Sequence, residues 1–185
     1  QGITVSYPEE KKRWYVKVPA FSFAKLNGMD AYLSPEMKST GEAIGYDKKL
    51  HRAMYKAMIA SGIRVQNYGT VIVTLADEDK DEAIPLIRRF YDMGFNIEAT
   101  SLTGEHLKQH GIRTRILGKP SEGSSEILDA IRAGYVSYVI NTRAILSGVH
   151  YEDGVAIRSA ATQNNITMLT SLDTVKVLLD VLEEV

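Results

Sequence analysis

The hydrophobic pattern of residues 69–104 is that of a strand, a helix and a second strand, followed by the start of another helix. Residues 71–75 are a short uncharged run rich in β-branched side chains, which is typical of a buried strand. The next segment has apolar residues at helical spacing, and Gly94 lies where that helix is expected to end. Residues 95–99 then form a second apolar run. The pattern predicts a β-α-β unit.

The rest of the chain repeats this alternation of strands and helices. Each predicted helix except the last stops at a glycine or at an Asn-Asn pair, just before another short apolar strand. Strands are predicted at residues 113–117, 135–140 and 166–169, and helices at residues 103–110, 125–133, 154–162 and 172–184. Apolar strands joined by helical crossovers form a parallel sheet covered on both faces. We therefore predict an α/β fold with a five-stranded, parallel, doubly wound sheet of the Rossmann type over residues 68–185.

The residues ahead of this sheet follow a different pattern. Residues 14–23 alternate like a strand, and Pro19 places that strand at an edge or a bulge. No neighbouring strand is evident before Gly69, so we expect its partner strands to lie outside this chain. Residues 31–45 are predicted to form a shaped loop, because Ser-Pro and Ser-Thr-Gly segments mark turns within them.

A helix is predicted at residues 47–61, with Gly62 as its stop. Its predicted apolar face consists of Leu50, Met54, Met58 and Ile59. Because the regular alternation of strands and helices begins only after residues 63–67, we expect the boundary between the two parts of the chain there. Since the sequence begins with Gln1, we also expect it to be a fragment or a processed product.

Composition limits the classes of function. The 22 basic and 23 acidic residues give a net charge of -1, so no global field favours nucleic acid or a membrane surface. The 185 residues contain no membrane-length apolar run and no signal-peptide pattern, and we expect a cytoplasmic protein. The absence of cysteine excludes disulfides and thiolate chemistry. His106 and His110 have the i, i+4 spacing of a metal pair, but a solvated helix end is the commoner meaning of such a pair, and no metal site is predicted.

Candidate chemistry lies at the carboxyl ends of the strands, where open α/β sheets bind their ligands. Hydroxyls and helix-start amides bind phosphate oxygens, lysines add charge-assisted bonds, and an asparagine can read a base or a sugar. The residues with these properties are Lys80, Thr100, Ser101, Thr103, Lys119, Asn141 and Thr142. We predict an anion site there, the alternative being that the threonines cap a helix and the lysines are solvated. No general base is evident, and the acids considered are Asp77, Asp79 and Glu122.

Two stretches carry a resemblance to a known family. Residues 17–45 read KVPAFSFAKLNGMDAYLSPEMKSTGEAIG, with SPEMKSTGE as the most specific part, and residues 68–185 contain the strand-end residues above. Together they resemble the carboxyl-terminal part of the large subunit of carbamoyl phosphate synthetase. The resemblance implies that residues 1–64 are a small α+β remnant of an ATP-grasp domain with a linker helix. Residues 68–185 are similar to the methylglyoxal-synthase-like allosteric domain of that subunit.

The resemblance also implies the role of the parent protein. Members of the family are ligases that use ATP, with Mg or Mn, to make carbamoyl phosphate from bicarbonate and glutamine-derived ammonia, for pyrimidine and arginine biosynthesis. Their metal-holding acids lie in an E-x-N pattern, which does not occur in this chain. We therefore expect this chain alone to be non-catalytic and without a cofactor. Its implied partners are the rest of the large subunit, the glutaminase small subunit and a second copy of itself.

Family positions imply roles for individual residues. Lys80, Thr100 and Thr103 are implied to hold an effector phosphate, with Lys119 beside it. Asn141 and Thr142 are implied to lie near a ribose or base, with Thr74 lining the same site. Family members that are regulated by N-acetylglutamate carry a tryptophan where this chain has Lys119. A lysine suits a phosphorylated effector such as UMP, IMP or phosphoribosyl pyrophosphate.

Two alternatives stay open from the sequence. The first is a stand-alone lyase like methylglyoxal synthase, although this chain lacks the aspartates that the lyase uses after its third and fourth strands. The second is an oligomerisation domain that uses the apolar stripe of Leu178, Leu179 and Leu182, although packing of this stripe on the sheet is the favoured interpretation.

Overall fold

The computed structural model describes residues 14–20, 41–47, 49–60, 62–142 and 149–184, with side chains in the ranges 49–60, 62–142 and 152–184. Its strands are β1 (Trp14–Ala20), β2 (Gly41–Asp47), β3 (Thr70–Thr74), β4 (Asn96–Thr100), β5 (Thr114–Leu117), β6 (Val136–Asn141) and β7 (Thr167–Leu169). Its helices are α1 (Leu50–Ala60), α2 (Lys80–Asp92), α3 (Ser101–Gln109), α4 (Glu126–Arg132), α5 (Val149–Gln163) and α6 (Leu172–Glu184). Short 3-10 turns lie at Asp77–Asp79 and Pro120–Glu122. The alternation after residue 69 follows the predicted order.

Five strands form one parallel sheet in the order β5-β4-β3-β6-β7. The chain adds β4 and β5 on one side of β3 and then returns to add β6 and β7 on the other side. The predicted fold class, an α/β protein with a five-stranded, parallel, doubly wound sheet, is confirmed. The reversal of direction leaves a crevice at the carboxyl end of β3, between the helices that leave β4 and β6.

Helices cover both faces of this sheet. One face packs Val71 and Val73 against residues of α2, α3 and α6, while the other packs Ile72 and Val139 against α4 and α5. Because successive side chains of a strand point to opposite faces, the uninterrupted apolar run of β3 serves both cores. No helix in the part of the chain that the structure describes is long and apolar enough to cross a membrane.

The amino-terminal strand has a partner within the chain, which the sequence did not predict. β1 pairs with β2 in an antiparallel register that runs from Trp14 opposite Asp47 to Ala20 opposite Gly41. The interpretation of residues 31–45 as a loop is therefore wrong for the part from Gly41 onward. Glycine, glutamate and alanine, which make up much of β2, have low strand propensity, so this strand carries no hydrophobic alternation.

α1 begins and ends close to the predicted limits and buries a face that only partly matches the predicted one. Ala53, Ala57 and Met58 are buried, whereas Leu50 and Ile59 are 38% and 46% exposed. Met58 packs into the same core as α6 and the sheet. The predicted face was right for Met54 and Met58, which pack on the core, and wrong for Leu50 and Ile59. The remaining close contacts are made by alanines, which contribute little to a hydrophobic pattern.

A buried tyrosine helps to bind the segment between α1 and β3 to the sheet. The hydroxyl of Tyr138 in β6 donates to the carbonyl of Gln66 and accepts from the amide of Gln66, both at 2.6 Å. Its ring packs between Phe90 and Phe95, with centroids 6.0 and 6.1 Å away. Burial raises the pKa of the Tyr138 hydroxyl to about 12.

This raised pKa predicts a loss of stability at alkaline pH. A tyrosine in the unfolded chain ionises near pH 10, so the unfolded state releases its proton first and stability falls as pH rises from 10 to about 12. We expect this decline to amount to about 2–3 kcal/mol. Tyr138→Phe is expected to cost about 1–3 kcal/mol at neutral pH and to flatten the decline. Urea unfolding of both proteins at several pH values between 8 and 11.5 measures the free energy of unfolding. If it declines equally with pH in the two proteins, the decline is not due to the raised pKa of Tyr138.

Candidate ligand-binding site

A small cavity lies at the topological switch point of the sheet. Its walls are formed by Thr74, Thr100, Lys119, Asn141, Asp153, Gly154 and Ile157. Four of these seven residues were predicted from the sequence, and the other three lie on α5. The cavity volume is about 10 Å³, which is at the lower limit for one water molecule. A ligand larger than water must therefore displace a wall residue in order to enter.

Asn141 is the most unusual residue of this cavity. It is the last residue of β6, opposite Thr74 at the end of β3, and its side chain is 0% exposed. In the part of the chain that the structure describes, neither the oxygen nor the nitrogen of its amide has a hydrogen-bond partner. Leaving a buried polar group without a partner typically costs about 1–3 kcal/mol. An amide in this position is satisfied when a polar ligand fills the cavity.

Thr100 places the start of α3 at the same cavity. It is the residue before the first turn of α3, yet its side chain makes no capping hydrogen bond to that turn. The first amide groups of a helix have no acceptor within the helix, and they bind anions well. The hydroxyl of Thr100 lies 3.5 Å from the hydroxyl of Thr103, a weak contact that leaves it available to a ligand.

Thr103 and Thr142 have backbone partners instead of facing the cavity. The hydroxyl of Thr103 accepts from the amide of Leu75 at 3.3 Å, and that of Thr142 accepts from the amide of Ala76 at 2.9 Å. Both threonines are buried, with exposures of 1% and 9%. They fix the loop that follows β3, and in this way they position the site without lining the cavity.

The two predicted lysines differ in their environment. The ammonium group of Lys80 lies 2.7 Å from a carboxylate oxygen of Asp77. Lys80 is absent from the cavity wall, as is Ser101, a half-buried residue in the first turn of α3. Lys119 lines the cavity and is 9% exposed, and no ion pair joins its ammonium group to a carboxylate of the described residues. The geometry therefore favours Lys119 as the cation that meets an anionic ligand.

Asp153 is a site residue that sequence reasoning missed. It is 7% exposed, and its two carboxylate oxygens accept from the amide of Ser121 at 2.8 Å and from the hydroxyl of Ser121 at 2.6 Å. The predicted helix began at residue 154, whereas α5 begins at Val149, so Asp153 lies inside the helix. Its spacing of four residues from Ile157, on one helical face, was the available signal.

The described residues contain no group of three or more histidines and acids placed to hold a metal ion. The rings of His106 and His110 lie 4.7 Å apart at the end of α3, and Asp81 approaches His106 with 3.1 Å between its carboxylate oxygen and Nε2. This cluster lies outside the cavity wall.

The fold and the cavity define an α/β protein with a polar cavity at the switch point of a parallel sheet. Residues 82–170, just under half of the chain, match the family model of the MGS-like domain. Among solved structures it is similar to methylglyoxal synthase from Elizabethkingia anophelis NUHP1, with 17% identity and a TM-score of 0.49. That alignment covers 62% of this chain and 79% of the methylglyoxal synthase chain.

Proposed function

We propose that the cavity binds the phosphate of a small phosphorylated effector, such as UMP, IMP or phosphoribosyl pyrophosphate. The observation that carries this proposal is the amide of Asn141, which is fully buried and has no partner among the described residues. Lys119, which is 9% exposed and has no ion pair with a described residue, lines the same cavity. An amide without a hydrogen-bond partner and a lysine without an ion pair in one cavity wall support a ligand that is both polar and anionic.

The two ends of the proposed ligand would contact different residues of the cavity. A phosphate between Lys119 and the start of α3 would accept charge-assisted bonds from the ammonium and from helix amides. The hydroxyl of Thr100 supplies one more donor at that point. The amide of Asn141 both donates and accepts, so it suits the hydroxyls of a ribose or the edge of a base.

We further propose that the chain is the effector-binding region of the large subunit of a carbamoyl phosphate synthetase. The motifs of residues 17–45 and the MGS-like match of residues 82–170 support this proposal. The parent enzyme would bind ATP with Mg or Mn elsewhere, and it would act in the cytoplasm together with its glutaminase subunit. The SPEMKSTGE motif lies largely outside the described residues.

A methylglyoxal-synthase-like lyase is the second candidate, and Asp153 favours it. A buried carboxylate in a cavity with Lys119 is the kind of group that proton abstraction from dihydroxyacetone phosphate requires. Both oxygens of Asp153, however, already accept hydrogen bonds from Ser121, which fix the carboxylate in place. We therefore rank ligand binding without turnover above catalysis.

An oligomerisation role has less support from the geometry. Leu178, Leu179 and Leu182 are 1%, 0% and 5% exposed, because this stripe of α6 packs into the core of the sheet. A stripe that is buried within its own chain offers no surface to a second copy.

One pair of measurements tests the proposed function. In calorimetric titrations we expect the chain to bind at least one of UMP, IMP and phosphoribosyl pyrophosphate more tightly than N-acetylglutamate. We also expect no methylglyoxal from dihydroxyacetone phosphate and no hydrolysis of ATP. Methylglyoxal formation that disappears in Asp153→Asn would show that the protein is a lyase. Tighter binding of N-acetylglutamate would exclude the phosphate assignment.

A further inference from the structure

We propose that Asp153 is an internal anion that competes with the ligand phosphate for the site. This inference rests on the proposed function and deepens it, because it concerns how the same cavity is kept closed. The carboxylate of Asp153 lies in the wall that also contains Lys119, and only 7% of the residue is exposed. The cavity that remains between these walls has a volume of about 10 Å³. A phosphate must displace part of this wall in order to enter, and Asp153 belongs to that wall.

The partners of Asp153 are donors of the kind that phosphate binds. The carboxylate accepts hydrogen bonds from the backbone amide of Ser121 at 2.8 Å and from the hydroxyl of Ser121 at 2.6 Å. Ser121 belongs to the 3-10 turn Pro120–Glu122, which directly follows Lys119. A backbone amide, a serine hydroxyl and a lysine ammonium form a typical set of phosphate ligands. In the structure a carboxylate from α5 accepts hydrogen bonds from two members of this set.

Two consequences follow from this arrangement. The negative charge of Asp153 opposes the entry of a second anion into a poorly hydrated cavity, where charges interact strongly. In addition, the ligand must break the two charge-assisted hydrogen bonds that join α5 to the turn Pro120–Glu122, which follows Lys119. Both effects lower the affinity for phosphate, and release of Asp153 would free α5 to move when the ligand binds.

Asp153→Asn separates this competition from a simple contact role. Asparagine has the same shape and can still bond to Ser121, but it carries no charge. If Asp153 competes with phosphate, the variant is expected to bind inorganic phosphate about tenfold more tightly than the wild-type chain. A residue that merely helps to bind the ligand would give weaker binding when it is changed.

Asp129→Asn is the matched control. Asp129 on α4 accepts from the hydroxyl of Ser125 at 2.7 Å, so it forms a similar serine–aspartate pair, but it is exposed and outside the cavity wall. The substitution changes the net charge by the same amount. We expect it to alter phosphate affinity by less than about twofold, because exposed charges are screened by solvent and salt.

The experiment is a titration of the whole chain and both variants with inorganic phosphate, followed by amide NMR. In the wild type, the amide of Ser121 and the side-chain amide of Asn141 are expected to shift along one saturation curve. Equal or weaker binding by Asp153→Asn, or an unmoved Ser121 while Asn141 responds, would overturn the competition and leave the binding site intact. If neither protein responds at Asn141, the proposed function fails and this inference fails with it. The wild-type readout at Ser121 decides the question even if the variant does not fold.

Discussion

Replacing Lys119 by glutamine is expected to weaken binding of the phosphorylated effector by about ten- to a hundredfold. A hydrogen bond to a charged group contributes about 1.5–3 kcal/mol, and Lys119 is a nearly buried cation in the cavity wall without an ion pair among the described residues. The fold is expected to survive, because the variant removes a buried charge that stabilises no partner there. Thermal unfolding is therefore expected to show a melting temperature at or above that of the wild type.

Lys80→Gln is the matched variant for this prediction. The resemblance to carbamoyl phosphate synthetase implies that Lys80 contacts the effector phosphate, but in the structure its ammonium pairs with Asp77 at 2.7 Å and lies away from the cavity wall. Because the Asp77 carboxylate is exposed, this ion pair contributes about 0–1 kcal/mol, and on the geometry we expect less than about a fivefold loss of affinity. Calorimetric titration of the three proteins with one effector compares them. A larger loss for Lys80→Gln than for Lys119→Gln would show that the ligand lies nearer to β3 than we propose.

Gly69→Ala is expected to reduce the free energy of unfolding by more than about 3 kcal/mol. Gly69 has a φ of +115°, and a Cβ atom there would overlap the hydroxyl of Ser137. That hydroxyl donates to the carbonyl of Tyr68 at 2.6 Å, so it cannot turn away without losing this bond. The backbone strain costs about 1–2 kcal/mol, and the lost hydrogen bond with the steric repulsion adds at least as much.

Gly62→Ala is the control that shows the cost of backbone strain alone, so its difference from Gly69→Ala gives the steric part. Gly62 also has a positive φ, +84°, but a Cβ atom there would meet nothing within 4 Å. We expect it to cost only the backbone term of about 1–2 kcal/mol. Melting temperatures are expected to fall by about 6–12 °C for Gly69→Ala and by roughly half as much for Gly62→Ala. Equal decreases would mean that contact with Ser137 has no part in the effect.

The sheet and its helices were predictable because their signals are local. Buried strands with both faces covered are uninterrupted apolar runs, and β3 and β6 are buried at every position. Helix ends were marked by residues that tolerate the left-handed conformation. Gly94 and Asn165 have φ values of 95° and 55°, as their positions after α2 and α5 predicted. These patterns determine the order of elements and therefore the edge of the sheet on which a ligand binds.

The missed elements are those whose signal is weak or not local. β2 contains Gly41 and Gly45 and has little alternation, so its pairing with β1 is a matter of tertiary contact. The first turn of α5 was missed because Gly154 read as the start of the helix and not as part of its interior. Asp153 was missed with that turn, although it is the one acid among the described residues of the cavity wall.

Within the site, the sequence predicted the edge of the sheet but not the direction of each side chain. Thr74, Thr100, Lys119 and Asn141 line the cavity. Thr103 and Thr142 face backbone amides of the loop after β3 instead. A hydroxyl at the end of a strand can take either role, and only the packing around it decides which one. Whether these four residues bind a ligand stays a prediction.

The side-chain amide of Asn141 offers the most direct test of the central claim, that this cavity is a binding site for a phosphorylated effector. The measurement is the NMR signal of that amide during titration with UMP, IMP or phosphoribosyl pyrophosphate. We predict that its two N–H resonances shift with saturation by one of these ligands, at the concentration where calorimetry detects binding, because a buried amide without a partner gains one. Binding that leaves the Asn141 amide unchanged while resonances elsewhere in the chain respond would contradict the account.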